Sequence, residues 1–177
     1  MKAADTMTPG PVNEFSTSYD LTTKIVSAVV CAAMLIAMAA TRNALVAGPL
    51  ALIVFLAYAY SPRGYALSGL TLTVKRFVRN VEVPLDGLRE VRLAEREDFR
   101  GCLRLWGNGG LFGYYGLFRT SRLGKCTWYV TNRSKAVVVA TGAKTALFSP
   151  DDPASFIAAV RSAALGPGSV AGGRVPR

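Results

Sequence analysis

Two kinds of residue in this chain have the type and spacing to do chemistry. One is a run of glycines and aromatics at residues 104–118; the other is a set of basic groups on either side of it. Gly107, Gly109, Gly110, Gly113 and Gly116 allow tight or left-handed backbone, and Leu111, Phe112, Tyr114, Tyr115 and Phe118 add apolar area. Glycine-rich backbone can cradle a phosphate. This run, however, lacks the lysine and hydroxyl residue of a P-loop, and it is not a dinucleotide fingerprint opening a helix. It reads as a structural loop that folds its aromatics onto the domain, or as a loop dipping Tyr114 and Tyr115 into a membrane interface, where tyrosine is favoured. Lys75, Arg76 and Arg79 flank an expected turn. Arg119, Arg122 and Lys125 form a second cluster on the loop leaving the aromatic run, and Arg133, Lys135 and Lys144 fall on later turns. These side chains are candidates for binding a lipid headgroup or a partner, against the plainer reading of a solvated basic face.

Catalytic groups are scarce. The chain has no histidine, which removes the commonest general base and metal ligand together. Its three cysteines, Cys31, Cys102 and Cys126, have no metal-pair spacing. Ser149 with Asp151 and Asp152, or Ser121 with Lys125, are the nearest approach to a reactive set, and neither has the spacing of a nucleophile with its base and orienter. Asp151 and Asp152 are sufficiently explained as residues that start a helix. Arg89, Arg92, Arg96 and Arg100 alternate with Glu90, Glu95, Glu97 and Asp98 and read as a charged exposed surface. The expectation is a non-enzyme with no cofactor and no metal.

The elements that must position these residues begin with two apolar runs, 25–41 and 44–60, separated by Arg42 and Asn43 and free of ionisable Asp, Glu, Lys or Arg. Seventeen helical residues cover roughly 25 Å, close to the ~30 Å hydrocarbon core of a bilayer. Gly48-Pro49 inside the second run allows the turn to extend to Gly48, with a short helix from Pro49, because the residue before proline avoids helical geometry. Either way the pair reads as a transmembrane hairpin. A secretory signal ending near Ala37-Met38-Ala39 is the first alternative, opposed by the long polar stretch 1–24 and by the second run. A pair of buried helices in a soluble domain is the other.

Charge orients the hairpin. Arg42 alone marks the connection, whereas Arg63, Lys75, Arg76 and Arg79 follow the second run, so the C-terminal part and the N-terminus are both expected on the cytoplasmic side of the inner membrane. Tyr58, Tyr60 and Tyr65 fall where interfacial aromatics collect. Of the 21 Lys and Arg only Lys2, Lys24 and Arg42 precede residue 61, and of the 11 acids only Asp5, Glu14 and Asp20 do. The first 60 residues are thus neutral, and residues 61–177 carry the whole net charge of +10. Anionic lipid and nucleic acid are the two usual partners of such a balance.

Period-two alternation follows. Leu70, Leu72 and Val74 alternate with threonine and lysine; then come Val81, Val83 and Leu85, Val91 and Leu93, and runs at 103–106, 126–131, 136–140 and 146–148. Turn residues at Ser68-Gly69, Asp86-Gly87, 132–134 and Thr141-Gly142 separate them, the pattern of a sandwich or barrel. The period then changes. Asp151 or Asp152 with Pro153 opens a helix whose Phe156, Ile157, Val160 and Ala164 share a face and which Gly166 ends. The organisation expected is a polar tail at 1–24, the hairpin at 25–60, a domain at 61–165 and a disordered tail at 166–177.

Three segments carry a family resemblance: RLWGNGGLFGYYGLF at 104–118, GKCTWYVTN at 124–132 and FSPDDPASF at 148–156. Together with the final helix they resemble bacterial pleckstrin-homology-like (PH) domains over residues 64–165. The resemblance implies a mainly-β PH-like barrel with a C-terminal capping helix, commonly preceded by two membrane spans. Eukaryotic PH domains often bind inositol phosphates through a basic hairpin. Lys75, Arg76 and Arg79 match that only loosely and in a shorter loop, so the specificity is not carried over. The reading is a non-enzymatic membrane-anchored interaction module. It would bind a protein partner, another copy of itself or anionic lipid headgroups at the cytoplasmic face. A membrane-attached nucleic-acid-binding protein is the alternative and the less favoured partner class.

Overall fold

A computed structural model describes residues 12–41 and 43–165. The expectations for residues 1–11, for Arg42 in the connection and for the tail 166–177 lie outside the described residues. The chain runs β1 (Asn13–Ser16), α1 (Leu21–Thr41), α2 (Ala44–Ala59), β2 (Gly64–Ser68), β3 (Thr71–Lys75), β4 (Val81–Pro84), β5 (Leu88–Leu93), a 3-10 turn (Arg96–Phe99), β6 (Leu103–Gly110), β7 (Gly113–Thr120), β8 (Gly124–Val130), a second 3-10 turn (Arg133–Lys135), β9 (Val137–Thr141), β10 (Thr145–Phe148) and α3 (Pro153–Leu165).

The helix α1 begins four residues before the apolar run because Asp20 caps it, its carboxylate accepting from the Thr23 N–H at 2.6 Å. At 21 residues it is roughly 31 Å long. In α2, Asn43 is the N-cap, its side chain accepting from Leu45 N–H at 2.9 Å. Pro49 then lies inside a continuous helix of 16 residues. The extended turn to Gly48 is therefore corrected: the cap at Asn43 starts the helix ahead of the proline. By length and composition, α1 is long and apolar enough to cross a bilayer; α2 is also apolar but shorter, at roughly 24 Å.

Two separately hydrogen-bonded sheets form the domain, with strand orders β1-β2-β3-β4 and β5-β9-β10-β8-β7-β6. All pairs are antiparallel except β8 with β10. The expected barrel is thus two sheets and a helix. Tyr65, Leu67, Leu72, Val74 and Val83 from the first sheet meet Val91, Tyr129, Val137, Val139 and Phe148 from the second, with Phe156 and Val160 of α3 closing the core. The period of two places Cys126, Trp128, Val130, Val138 and Leu147 on the opposite face of the six-stranded sheet, where Phe99 and Phe118 cover them. The central strands β8, β9 and β10 are buried on both faces.

Asp152, of the two candidate caps, starts α3, accepting from Ala154 and Ser155 N–H at 3.1 Å each. Asp151 instead joins the first strand to the domain: its N–H donates to Ser16 C=O at 2.9 Å and its carboxylate accepts from Ser18 and Lys135. One strand lies in a segment read as a tail. β1 belongs to the expected polar tail but pairs with β2 and sets Phe15 edge-on to Phe156 at 5.1 Å. β2 begins at Gly64, so only residues 60–63 separate α2 from the first strand that follows it.

Candidate functional site

The junction between hairpin and domain is built around Phe112. The glycine-aromatic run is no free loop: it is the β6–β7 hairpin, and its turn takes Phe112 into left-handed backbone, φ 56°. Ser27 of α1 accepts from the Phe112 N–H at 2.8 Å, and Ser61, just past α2, donates to the Phe112 C=O. The Phe112 ring stands edge-on to Tyr58 of α2 at 5.4 Å. Tyr115 is buried; its hydroxyl accepts from Asn108 at 2.9 Å and donates at 2.6 Å to the C=O of Ala57. That carbonyl belongs to the last turn of α2, where C=O groups run out of helical N–H partners. Burial raises the Tyr115 hydroxyl above its ordinary pKa, which keeps it protonated as a donor. On the α1 side, Asp20 N–H donates to Thr131 C=O at 3.2 Å. The start of α1 and the end of α2 therefore meet the same end of the domain.

The glycines have a steric reason. Gly107 and Gly116 face each other across β6 and β7 with φ of 104° and 126°. A Cβ on Gly116 would lie 2.3 Å from Trp106 C=O, and one on Gly107 would lie 2.2 Å from Tyr115 C=O. Backbone approaches backbone here, which only glycine at both positions allows. Phe118 stacks on Trp128 at 4.4 Å, and half-buried Tyr114 lies 6.4 Å from the same indole. The two tyrosines expected to dip into an interface are thus packed into the protein instead.

The basic candidates separate into two places. Lys75, at the end of β3, pairs with Glu14 of β1 at 2.7 Å. Arg76 follows it, half-buried, with its guanidinium carbon 5.1 Å from the Tyr129 ring and 6.0 Å from Tyr115. Its Nε is buried and has no hydrogen-bond partner. Burial lowers its pKa from the ordinary arginine value. Arg79 is exposed on the same β3–β4 loop. Arg63, between α2 and β2, lies over Tyr58 at 4.6 Å and Phe77 at 5.2 Å. Sequence reasoning missed it as a site residue, although its position three residues after the second apolar run was the available signal.

Arg119, Arg122 and Lys125 sit at the opposite end of β7. Arg119 and Lys125 are exposed register partners on β7 and β8, and Arg122 lies in the intervening turn. Arg122 is committed to carboxylates, touching Glu95 and lying 3.6 Å from Asp98. Asp98, expected on a solvated surface, is fully buried. Arg92 grips it at 2.5 and 2.9 Å and the Glu95 N–H donates to it at 2.8 Å. The hydrogen bonds from Arg92 hold its carboxyl below the usual range despite the burial. The surface reading of residues 89–100 is corrected at this carboxylate: its spacing after Glu95 forms a capping box around the 3-10 turn. The reactive sets are also placed. Ser149 is buried, accepting from Thr131 N–H at 2.8 Å, and Asp151 and Asp152 hold the contacts described above. No group of three or more His, Cys, Asp or Glu suited to a metal occurs among the described residues.

No curated protein and no solved structure matches the chain. Residues 63–164 match the family model described as bacterial PH domain. That segment covers both sheets except β1, together with almost all of α3. The two-sheet fold closed by α3 and the match over more than half of its length place this chain in the bacterial PH domain family.

Proposed function

We propose that this protein is a membrane-anchored, non-enzymatic interaction module, with α1 and α2 spanning the cytoplasmic membrane as a hairpin and the PH domain held against its cytoplasmic face. The observation that carries this reading is the docking of both hairpin ends onto one end of the domain while the rest of the hairpin stays uncovered. Only 11% of the apolar window Leu21–Ala40 is buried, which is unlike a core helix of a soluble protein. Ile25, Val29, Leu35, Ile36, Leu52 and Phe55 are among the exposed side chains, an apolar sheath suited to lipid. Tyr58, Tyr60 and Trp106 gather where α2 meets the domain, the level of an aromatic belt.

With recruitment already achieved by the anchor, the domain is free to bind a partner at high effective concentration. The strand β6 supports this. It lies at the edge of the six-stranded sheet, carries exposed Leu103 and Leu105, and offers a free ladder to an extended segment of another protein or another copy. The nucleic-acid alternative loses its stacking platform, because Tyr114, Tyr115 and Phe118 pack inward.

The topology is tested with an impermeant maleimide on Asn43→Cys in a Cys102→Ser background. Labelling from outside, with none at a C-terminal cysteine, is expected; labelling from the cytoplasm sinks the hairpin. A photoreactive residue at Leu105 in intact membranes should yield a discrete protein adduct, and its absence removes the edge-strand partner.

A further inference from the structure

The six-stranded sheet concentrates the positive charge of this chain. Residues 99–150, which form β6 to β10, contain eight Lys and Arg and no Asp or Glu. Within that stretch Arg119 of β7 and Lys125 of β8 stand directly opposite each other in the strand register. Opposed residues of an antiparallel pair lie roughly 5 Å apart at Cβ, so like charges there repel. Both side chains are exposed, and no carboxylate pairs with either among the described residues. Arg122, in the turn between them, differs because Glu95 already holds it.

The register carries this face to the edge of the sheet. Leu103 opposes Arg119, and the irregularity at Leu105 puts Trp106 opposite Leu117, two residues before Arg119. Leu103, Trp106, Leu117, Arg119 and Lys125 therefore share one face. β7 pairs with one side of β6, and no strand pairs with the other among the described residues. Trp106 is 78% exposed. Beside it a groove of about 390 Å³ opens toward α2, lined by Ile53, Leu56, Tyr60 and Leu111. The surface is thus graded, apolar near the hairpin and cationic at the far end, with edge backbone along it.

A second copy of the chain does not match this surface. Its β6 carries Arg104 and no acid, and pairing two such edges sets like charge against like. A nucleic acid would meet the cations and leave the ladder of N–H and C=O groups unmatched. An extended peptide with acidic side chains meets both. We propose that β6 accepts an extended acidic segment of another protein as an added strand. A Glu or Asp of that segment beside Leu103 lies about 10 Å from the Arg119 backbone, two strand spacings, which the two side chains span together. It relieves the repulsion between Arg119 and Lys125, while an apolar side chain of the segment packs on Trp106 at the groove. The proposal rests on the edge-strand reading of β6 and names the chemistry of its partner.

The test begins in intact membranes with a photoreactive residue at Leu103 of the full chain and identification of the crosslinked peptide. A segment rich in Asp and Glu from another protein is expected. A neutral or basic segment, or a peptide of this chain, overturns the acidic partner and leaves the edge-strand reading standing. No protein adduct at either 103 or 105 overturns both. The full chain in detergent is then titrated into a fluorescent peptide of alternating valine and glutamate headed by phenylalanine, and into its glutamine counterpart. The glutamate peptide should bind at least tenfold more tightly; equal binding, or none, overturns the charge match. Arg119→Gln/Lys125→Gln should weaken the glutamate peptide at least fivefold with Tm level or raised, since the opposed charges are gone. Unchanged affinity, or a marked fall in Tm, overturns the pair as a site. Arg119→Gln alone serves if the double variant does not fold, with a smaller loss expected and no loss counting against the site. The glutamate peptide N-methylated at alternate residues keeps its charge and loses the ladder; binding as tight as the unmodified peptide overturns strand addition. A single-stranded oligonucleotide that displaces the peptide at lower concentration than the peptide itself would make this a general polyanion surface and overturn the peptide partner.

Discussion

At the end of the domain farthest from the hairpin, Arg92 and Arg122 close on Glu90, Glu95 and buried Asp98. At the end beside the hairpin, Arg63 and Arg76 lie over aromatic rings, and no carboxylate pairs with them among the described residues. The side chains are the same in type, and the strand β7, eight residues and roughly 26 Å long, separates them. One cluster neutralises itself and holds a loop in shape. The other has no such carboxylate partner among the described residues. Net charge alone, +10 for the chain, does not distinguish these situations. A basic patch becomes a binding candidate through what it lacks nearby.

The same contrast applies to the two turns that meet the hairpin. The β6–β7 turn is locked: Ser27 and Ser61 hold both backbone groups of Phe112, and Tyr115 reaches the Ala57 carbonyl. The β3–β4 loop touches α2 through a ring contact and leaves Phe77 and Val78 exposed. The first turn joins the domain to the helical pair, while the second leaves two apolar side chains on the surface.

The comparison can be broken most severely at the locked turn. Gly116→Ala forces a Cβ to 2.3 Å from the Trp106 carbonyl at a φ reserved for glycine, and a loss of more than about 3 kcal/mol is expected. Thermal unfolding of the full chain in detergent measures it; a variant as stable as the parent would show that β6 and β7 are not so close. Asp98→Ala at the far end strips the partner from Arg92 and should cost about 2–3 kcal/mol by the same assay. Because the folded carboxyl lies below its unfolded value, its contribution is fully present above the ordinary aspartate range and is lost as pH falls through the folded pKa. The parent should therefore lose Tm more steeply than Asp98→Asn between neutral and acid pH, and parallel curves would remove Asp98 from the account.

Smaller effects sharpen the contrast. Tyr115→Phe keeps the ring but leaves the Ala57 carbonyl unmet, for a loss of about 1 kcal/mol and faster amide exchange at the end of α2. Protection unchanged at that turn would dismiss the hydroxyl as a clamp. Phe77→Ser is expected within about 0.5 kcal/mol of the parent, since its ring is mostly outside the protein. A large loss of Tm there would make the loop structural, like its neighbour.

Local pattern determined a good deal by itself. Alternation at Leu72 and Val74, at Val137 and Val139, and at Ala146 and Phe148 marks core-facing strands because side chains in a strand repeat every two residues. The cap and proline at 152–153 mark the start of α3 because a helix start needs an acceptor for its free N–H groups. The two apolar runs announce the hairpin through composition and length. The glycine-aromatic run was legible as structural, though not as a pair of strands, since glycines erase the alternation that identifies one. Tertiary structure decided what depends on residues far apart in the chain. The mostly polar residues of β1 become a strand only because β2 offers an edge, and Phe15 reaches Phe156 across more than a hundred residues. Asp98 is buried only because Arg92 and the Glu95 N–H replace its water. Tyr114 and Tyr115 look alike in sequence, yet one faces Trp128 and the other caps α2, because neighbours on a strand point to opposite faces. Pairing, burial and the company a charge keeps are long-range quantities, and they separate the basic residues that hold this fold from those left free to bind.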